Sequence, residues 1–460
     1  MTTDLEQTVV ARGFCIGCGA CAVAPQSPMR IVMNDNGQYE AVATPVDEND
    51  QDLRSVCPFS DTAINEDEIG RSIFGDGCEY VMNIGYFHKV HAGHVIEGDF
   101  RDRGSSGGFG SWITSELIKK GLVDFVLHVK ESPSSAPSGS PLFEYAVSSN
   151  VEEVRSGSKS RYYPVHMASV LRHVREHEGR YAIVGLPCFI KSVRLLQESD
   201  VLLAERVKYC IGLVCGHLKS SMYAENLAWQ MGIPPGELRT IDFRVKDTSA
   251  RADRYCIEAS DGTKKVSRPV RDLFGTDWGA GAFKYKACDF CDDVFAETAD
   301  LVIGDAWLPE FVDDPQGTSI IVTRRKELSD LIASASKENR IEVRSLTASE
   351  AIASQAGGLR HRRDAISYRL AKERKTGGWV PPKRLRASSA LFSSFDRVRQ
   401  NIRTEYRNES HRMHRIARDS GDIQTYLAAM DVIYGRYKKL RAGLVDRVTG
   451  AVRRALRNIP

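Results

Sequence analysis

The chain has 460 residues, 42% of them hydrophobic and 27% charged, a globular composition that excludes a disordered or fibrous protein and is too long for one small core. The net charge of +3 conceals two unlike parts: from Arg360 onward there are 25 Lys and Arg against 9 Asp and Glu, and before it 38 against 51. No run of eighteen apolar residues indicates a spanning helix, and the start Met1-Thr-Thr-Asp-Leu-Glu-Gln7 lacks the basic and apolar stretches of a signal peptide, so the chain is expected in the cytoplasm, where thiols stay reduced.

Residues 1–80 are rich in turns and carry Cys15-Ile-Gly-Cys18-Gly-Ala-Cys21, followed later by Cys57-Pro58. Val90–Ile96 reads as a strand. Asp102-Arg-Gly-Ser-Ser-Gly-Gly108 then leads into a helical pattern over Phe109–Lys120, with Trp112, Ile113 and Leu117 on one face. Gly121 ends it and Val123–Val129 reads as a strand, an order typical of α/β layering. Glu131–Leu142 is a Pro/Ser-rich loop. Beyond it we expect helices over Val165–Glu176, Phe189–Gln197 and Leu218–Met231. Buried strands are expected at Tyr181–Val184, Val207–Val214, Asp300–Ile303 and Ser319–Thr323, and a meander at Ile241–Val245 and Tyr255–Ala259. After Gly377-Gly-Trp-Val-Pro-Pro382 the chain turns basic, helical and poor in strand formers, and Leu444–Ile459 carries an apolar stripe opposite arginines. The expected fold is α/β, a mixed sheet with flanking helices, with a ferredoxin-like cluster-binding segment at 1–80, an oxidoreductase domain at 81–358 and a basic, mainly helical extension at 359–460.

Two cysteine groups carry the chemistry. A C-x2-C-x2-C run converges three thiolates on a small volume, and Gly17 and Gly19 let the backbone wrap closely around it. A two-cluster ferredoxin places another Cys four positions after the third; here that position is Pro25, which leaves Cys57 as the natural fourth ligand of one four-iron cluster. Zinc also takes four cysteines. The second set is Cys188, after a Gly-Leu-Pro turn, Cys215, ending an apolar strand, and the pair Cys288-x2-Cys291, which suits zinc and iron–sulfur equally. Strand ends converge on one sheet edge, so these four can meet. Cys210 and Cys256 read as small core residues, and Cys78 as an ordinary thiol or a spare ligand. Gly104-Ser-Ser-Gly-Gly108 before a helix is a candidate anion loop, and Arg155-Ser-Gly-Ser-Lys-Ser-Arg161 adds hydroxyls and cations suited to a pyrophosphate; a solvated basic turn is the plainer alternative. No Gly-x-Gly-x-x-Gly fingerprint signals a Rossmann site.

In order, Cys15-x2-Cys18-x2-Cys21, Ser106-Gly-Gly108, Gly157-Ser-Lys-Ser-Arg-Tyr162, Gly185-Leu-Pro-Cys188, Ile211-Gly-Leu-Val-Cys215-Gly, Cys288-x2-Cys291 and Ala299-Asp-Leu-Val-Ile-Gly-Asp305 resemble the family of coenzyme F-420 hydrogenase/dehydrogenase beta subunits, over roughly Phe14–Arg324. That family includes the plant 7-hydroxymethyl chlorophyll a reductase. Members with a tail of this kind look like those of bacterial polysaccharide gene neighbourhoods. The resemblance implies FAD held by Ser105, Ser106, Gly107, Gly108, Ser158, Lys159, Ser160 and Arg161. It also implies two [4Fe-4S] clusters, one near the flavin on Cys188, Cys215, Cys288 and Cys291, and one on Cys15, Cys18, Cys21 and Cys57 as the point of electron entry or exit. Electrons would pass between one-electron carriers and a hydride acceptor or donor, with ferredoxin, reduced nicotinamide and deazaflavin as candidate partners. An electron-delivery subunit of a larger complex and a zinc-stabilised module are the competing readings. His166, His217 and Asp305 are conceivable acids or bases. The tail is expected to seek an acidic protein or an anionic inner membrane face, or to cap the acidic body; no motif for nucleic acid accompanies its charge.

Overall fold

The computed structural model describes residues 5–44, 53–133, 139–390 and 392–457. Its centre is an eight-stranded sheet of β1 (Lys89–Val95), β2 (Phe125–Glu131), β3 (Phe143–Ser148), β4 (Tyr181–Gly185), β5 (Val207–Leu213), β6 (Leu301–Asp305), β7 (Ser319–Thr323) and β8 (Ile341–Ser345), in the spatial order β8-β1-β7-β6-β5-β4-β2-β3. The four strands β2, β4, β5 and β6 are parallel, and the others pair antiparallel at the two flanks. Both faces are covered, so the inner strands read as continuous apolar runs: every residue of β7, Ser-Ile-Ile-Val-Thr, is buried. The helices Phe109–Lys119 and Lys326–Lys337 close one face through Trp112, Ile113, Leu117, Leu328 and Ile332. Pro187–Ser199 packs on the other through Phe189, Ile190 and Val193.

The mixed α/β expectation holds, with differences at element ends. The helix expected from Val165 begins at Ala168, and the one expected from Leu218 begins at Ser221, because Lys219 pairs in an isolated bridge with Lys284. The meander has a third strand, Lys265–Pro269, beside Thr240–Val245 and Cys256–Ser260. The turn-rich start contains a hairpin, Met29–Met33 with Tyr39–Ala43, which presses on the first cysteine loop. Residues 134–138 of the Pro/Ser-rich loop lie outside the described residues, as do the side chains of the Leu444–Ile459 stripe.

The basic extension folds onto the body. Helices Ser394–Ser420 and Ile423–Arg457 run against each other, and Phe283 stacks on Tyr426 at 5.6 Å. The reason is charge. Asp289, Asp292, Asp293, Glu297 and Asp300 fall within one buried stretch of the body, and such carboxylates need cations beside them. Arg407 pairs with Asp289, which His361 also meets as a hydrogen-bond partner at 3.1 Å, Arg363 meets Glu297 at 2.5 Å, and Arg384 reaches Asp67, Asp292 and Glu297 at 2.9, 3.2 and 2.6 Å. Much of the tail's charge is therefore matched inside the chain. No helix among the described residues is long and apolar enough to cross a membrane.

Candidate functional site

The first four cysteines line one cavity. Cys15, Cys18, Cys21 and Cys57 surround it together with Phe14, Ile16, Gly17, Gly19, Ile31, Ala41 and Phe59. The loop's conformation depends on its glycines. Gly17 has φ +64°, and a methyl group there would stand 2.4 Å from Tyr39 Cβ and 2.5 Å from its carbonyl oxygen. Tyr39 cannot yield easily, since its N–H donates to the Tyr285 hydroxyl at 2.8 Å. Backbone N–H groups of Gly17 and Ala41 each point at Cys15 Sγ from 3.4 Å. Burial pushes the Cys15 thiol up to about 11, and Cys21 is raised by burial and then by the charges of Cys18, Cys15 and Cys57. Gly17→Ala is expected to cost about 2 kcal/mol from the strained backbone and the clash, read as a lower midpoint in chemical denaturation; an unchanged midpoint would show that Tyr39 moves aside.

The second four also meet. Cys188 stands in the first turn of the helix Pro187–Ser199, directly after β4, and Cys215 lies two residues past β5. Cys288 sits in the short turn Lys286–Phe290, and Cys291 follows it. All four line a second cavity with Ile16, Phe59, Leu186, Pro187, Leu218 and Arg362. The Leu218 N–H donates to Cys288 Sγ at 3.2 Å. Burial pushes Cys288 up to about 12 while Arg362 opposes it. Ile16 and Phe59 belong to the walls of both cavities, and Cys18 is close enough to Cys188 for its charge to act there. Two sets of thiols thus lie back to back across a single layer of side chains. Among the described residues no three His, Cys, Asp or Glu side chains are gathered as a single metal ion requires. The thiols instead ring open space, and soft sulfur donors with N–H groups aimed at them fit a polynuclear iron–sulfur core.

The two loops singled out for anion binding meet at the same sheet edge. The Ser160 N–H donates to Ser105 Oγ at 2.8 Å, and Val95, the last residue of β1, donates to the Gly107 carbonyl at 2.8 Å. Gly107 and Gly108 are small for an internal reason: a methyl group on Gly107 would stand 2.5 Å from the Gly93 carbonyl oxygen, and one on Gly108 2.7 Å from Phe100. Lys159 is held at φ +130° with its ammonium on Asp242 and the Arg244 carbonyl, each at 3.2 Å. Lys246 braces the loop through the Ser106 carbonyl at 3.0 Å. Ser158 Oγ is buried without a hydrogen-bond partner. Arg161 is committed to Glu131 at 3.1 Å and lies over the Phe143 ring. An unpartnered hydroxyl and two lysines beside a helix start suit a pyrophosphate. From here Tyr162 packs on Trp278 at 4.7 Å and Trp278 on His217 at 4.4 Å, a ring contact that reaches the residue two beyond Cys215.

The remaining candidates separate. Asp305 is held by Arg244 at 2.7 and 3.3 Å, His166 packs edge-on against Tyr39, and His217 is buried with Nε2 unpartnered. Cys210 is a fully buried strand residue, and Cys256 is only half-buried, standing at the start of the meander's central strand. Cys78 lines neither cavity and donates to the Arg324 carbonyl at 3.1 Å. Arg362 escaped the sequence reading: Arg360-His-Arg-Arg363 looks like ordinary tail charge, and no spacing marks its third residue.

Fold and site define an α/β protein that gathers thiols in two sets, one of them at the carboxyl ends of neighbouring parallel strands. Residues 90–172 match the N-terminal, and residues 178–349 the C-terminal, family description of the coenzyme F420 hydrogenase/dehydrogenase beta subunit. The chain belongs to that family, a family of oxidoreductase subunits. It is 23% identical over 313 residues to one of the subunits of the F(420)H(2) dehydrogenase of Methanosarcina mazei, covering 66% of this chain and 78% of that one. A chain of the F420-reducing [NiFe] hydrogenase complex from Methanosarcina barkeri, solved for xenon derivatization, superposes with a TM-score of 0.49 at 15% identity, covering 65% of this chain and 96% of that one. The first cysteine group and Arg362 both lie outside the matched residues.

Proposed function

We propose that this chain passes electrons between one-electron carriers and a two-electron substrate or deazaflavin-type coenzyme, using FAD and two [4Fe-4S] clusters. The observation that carries this reading is the pair of four-thiol cavities sharing Ile16 and Phe59 as a common wall. Iron–sulfur clusters supply single-electron transfer and a flavin supplies exchange between single electrons and a hydride. The residues of this chain bind and orient. Cys15, Cys18, Cys21 and Cys57 would hold the outer cluster, and Cys188, Cys215, Cys288 and Cys291 the inner one. Ser105, Ser106, Gly107, Gly108, Ser158, Lys159, Ser160 and Arg161 would frame the flavin's pyrophosphate, with Gly107 and Gly108 setting the loop's approach to the sheet. Asp305, fixed by Arg244, stands at the end of β6 on the same edge. The name of the similar dehydrogenase subunit supports a place within a larger complex, with a deazaflavin as the two-electron partner. The C-x2-C-x2-C spacing of Cys15, Cys18 and Cys21 favours the cluster reading over a zinc-stabilised module. The tail's ion pairs with Asp289, Glu297 and Asp292 favour its role as a cap over that of a membrane anchor.

Anaerobic purification followed by electron paramagnetic resonance with redox titration tests the reading. Two cluster signals and about one FAD per chain are expected; zinc occupancy without flavin sinks it. The pyrophosphate assignment has its own test. Burial, with Arg101 and Lys159 adding to it, lowers the Lys246 amine to about 8. It is charged below that value and neutral above it, so FAD affinity should weaken by about tenfold as pH rises from about 7 to about 9, the worth of one charge-assisted contact. Fluorescence titration of FAD should show this in the wild-type chain and a flat profile in Lys246→Gln. The same slope in both excludes Lys246.

A further inference from the structure

The basic extension has a role beyond capping. Arg363, Arg384 and Arg407 spend their charge on carboxylates of the body. Arg362 does not. Its guanidinium is 1% exposed and enters the wall of the inner cysteine cavity. One terminal nitrogen donates to Cys291 Sγ at 3.0 Å and to the Asp293 carbonyl at 2.7 Å. The other donates to Cys215 Sγ at 3.4 Å and to the Gly216 carbonyl at 2.6 Å. Among the described residues its partners are two sulfurs and two carbonyl oxygens, and no carboxylate. The two carbonyls fix the plane of the fork, and the two remaining donations fall on sulfur. A guanidinium stays charged at any working pH. Its full positive charge is therefore directed at the thiols in a site where little water screens it.

We infer that Arg362 is a positioning residue that raises the reduction potential of the cluster held by Cys188, Cys215, Cys288 and Cys291. The inference rests on the cluster reading above. One electron arriving from a one-electron carrier, the outer cluster included, adds one negative charge to the inner site. No bond is made and no proton moves; Arg362 remains a cation on both sides of the step. Its attraction for the site grows with that added charge, so the reduced form gains more than the oxidised form. Hydrogen bonds to ligand sulfur act in the same direction, by drawing electron density off the ligands. Arg362 comes from beyond residue 349, where the family match ends. The extension would thereby tune, for this chain, how readily the inner site accepts an electron.

The test uses the full chain, purified anaerobically, with redox titration followed by electron paramagnetic resonance. The inner signal is identified as the one that Cys188→Ala removes, and the outer signal serves as an internal reference. In Arg362→Gln the inner cluster's reduction constant should fall about tenfold, which is 59 mV for one electron, with the outer cluster's unchanged. Arg362→Lys keeps the charge and should recover at least half of that shift. An inner potential in Arg362→Gln within twofold of the wild-type constant overturns the inference. So does an equal fall in both variants, which would place the effect in packing and not in charge. Should Arg362→Gln hold no inner cluster, Arg362→Lys decides: a wild-type constant supports the inference and a tenfold loss overturns it. If neither variant holds the cluster, Arg362 is a structural prop and the inference falls. Failure of the underlying reading is distinct, since the wild-type chain itself would then lack two cluster signals.

Discussion

On the proposed two-cluster reading, Cys188→Ala should lose about half of the iron of the wild-type chain and keep the other half, because one of the two proposed four-iron sites loses a ligand. The residue matters for its position. It sits in the first turn of the helix Pro187–Ser199, whose positive end opposes the rise that burial and then the neighbouring cysteines impose on its thiol. It is also the member of the inner set whose thiol feels Cys18 of the outer set. Electron flow from a one-electron donor to flavin should fall to background while FAD content stays near wild-type, since Ser105 and Ser160 are untouched. Cys78→Ala is the control. That thiol faces the Arg324 carbonyl and neither cavity, so iron content should not change. Iron and acid-labile sulfide analysis of both variants decides the matter; full iron in Cys188→Ala would remove it from the ligand set.

Arg384→Met should destabilise the fold by about 3–5 kcal/mol, the loss expected when one partner of a buried ionic group is removed. Its guanidinium lies among four carboxylates, with Glu297 at 2.6 Å, Asp67 at 2.9 Å, Asp292 at 3.2 Å and Glu66 at 3.5 Å. Burial pushes the Asp292 carboxyl up, but Arg384 and then Lys383 more than reverse this and hold it well below the usual range. Asp293 beside them is raised, by burial and then by Glu297 and Glu66. Without Arg384 the cluster keeps Lys191, Lys383 and Arg363, too few for its negative charge. The pH dependence follows. A carboxyl raised in the folded state binds a proton there that the unfolded chain does not bind, so stability rises as pH falls through the folded value. The deficit of Arg384→Met should therefore be largest above neutrality and shrink toward about pH 5. Urea denaturation at both ends of that range checks it, and a pH-independent deficit would point to lost packing instead.

Much of this is carried by the sequence itself. The C-x2-C-x2-C run and Cys57 were legible because chelation by a local loop is a matter of spacing, and the loop's glycines follow from how closely the chain must turn. Cys188 and Cys215 were legible for a different reason. Each follows an apolar strand, and parallel strands deliver their ends to one edge. Other features left no local mark. Strand β8 and the hairpin Met29–Met33 with Tyr39–Ala43 are only five residues per strand and exist through their partners. Cys256 reads as a core residue, yet it lies half-buried at the start of the meander's central strand, because burial depends on what covers a strand.

Residue types and spacing alone determined the two cysteine groups and the charge asymmetry between body and tail. Tertiary structure alone decided that the two cavities share a wall, that Ser160 meets Ser105, and that Arg362 reaches Cys291. The physical reason is range. Spacing along the chain fixes which groups a short loop can bring together, whereas a contact such as that of Arg362 with Cys291, 71 residues apart, exists only because burying the acidic stretch of the body required the tail's cations to fold over it.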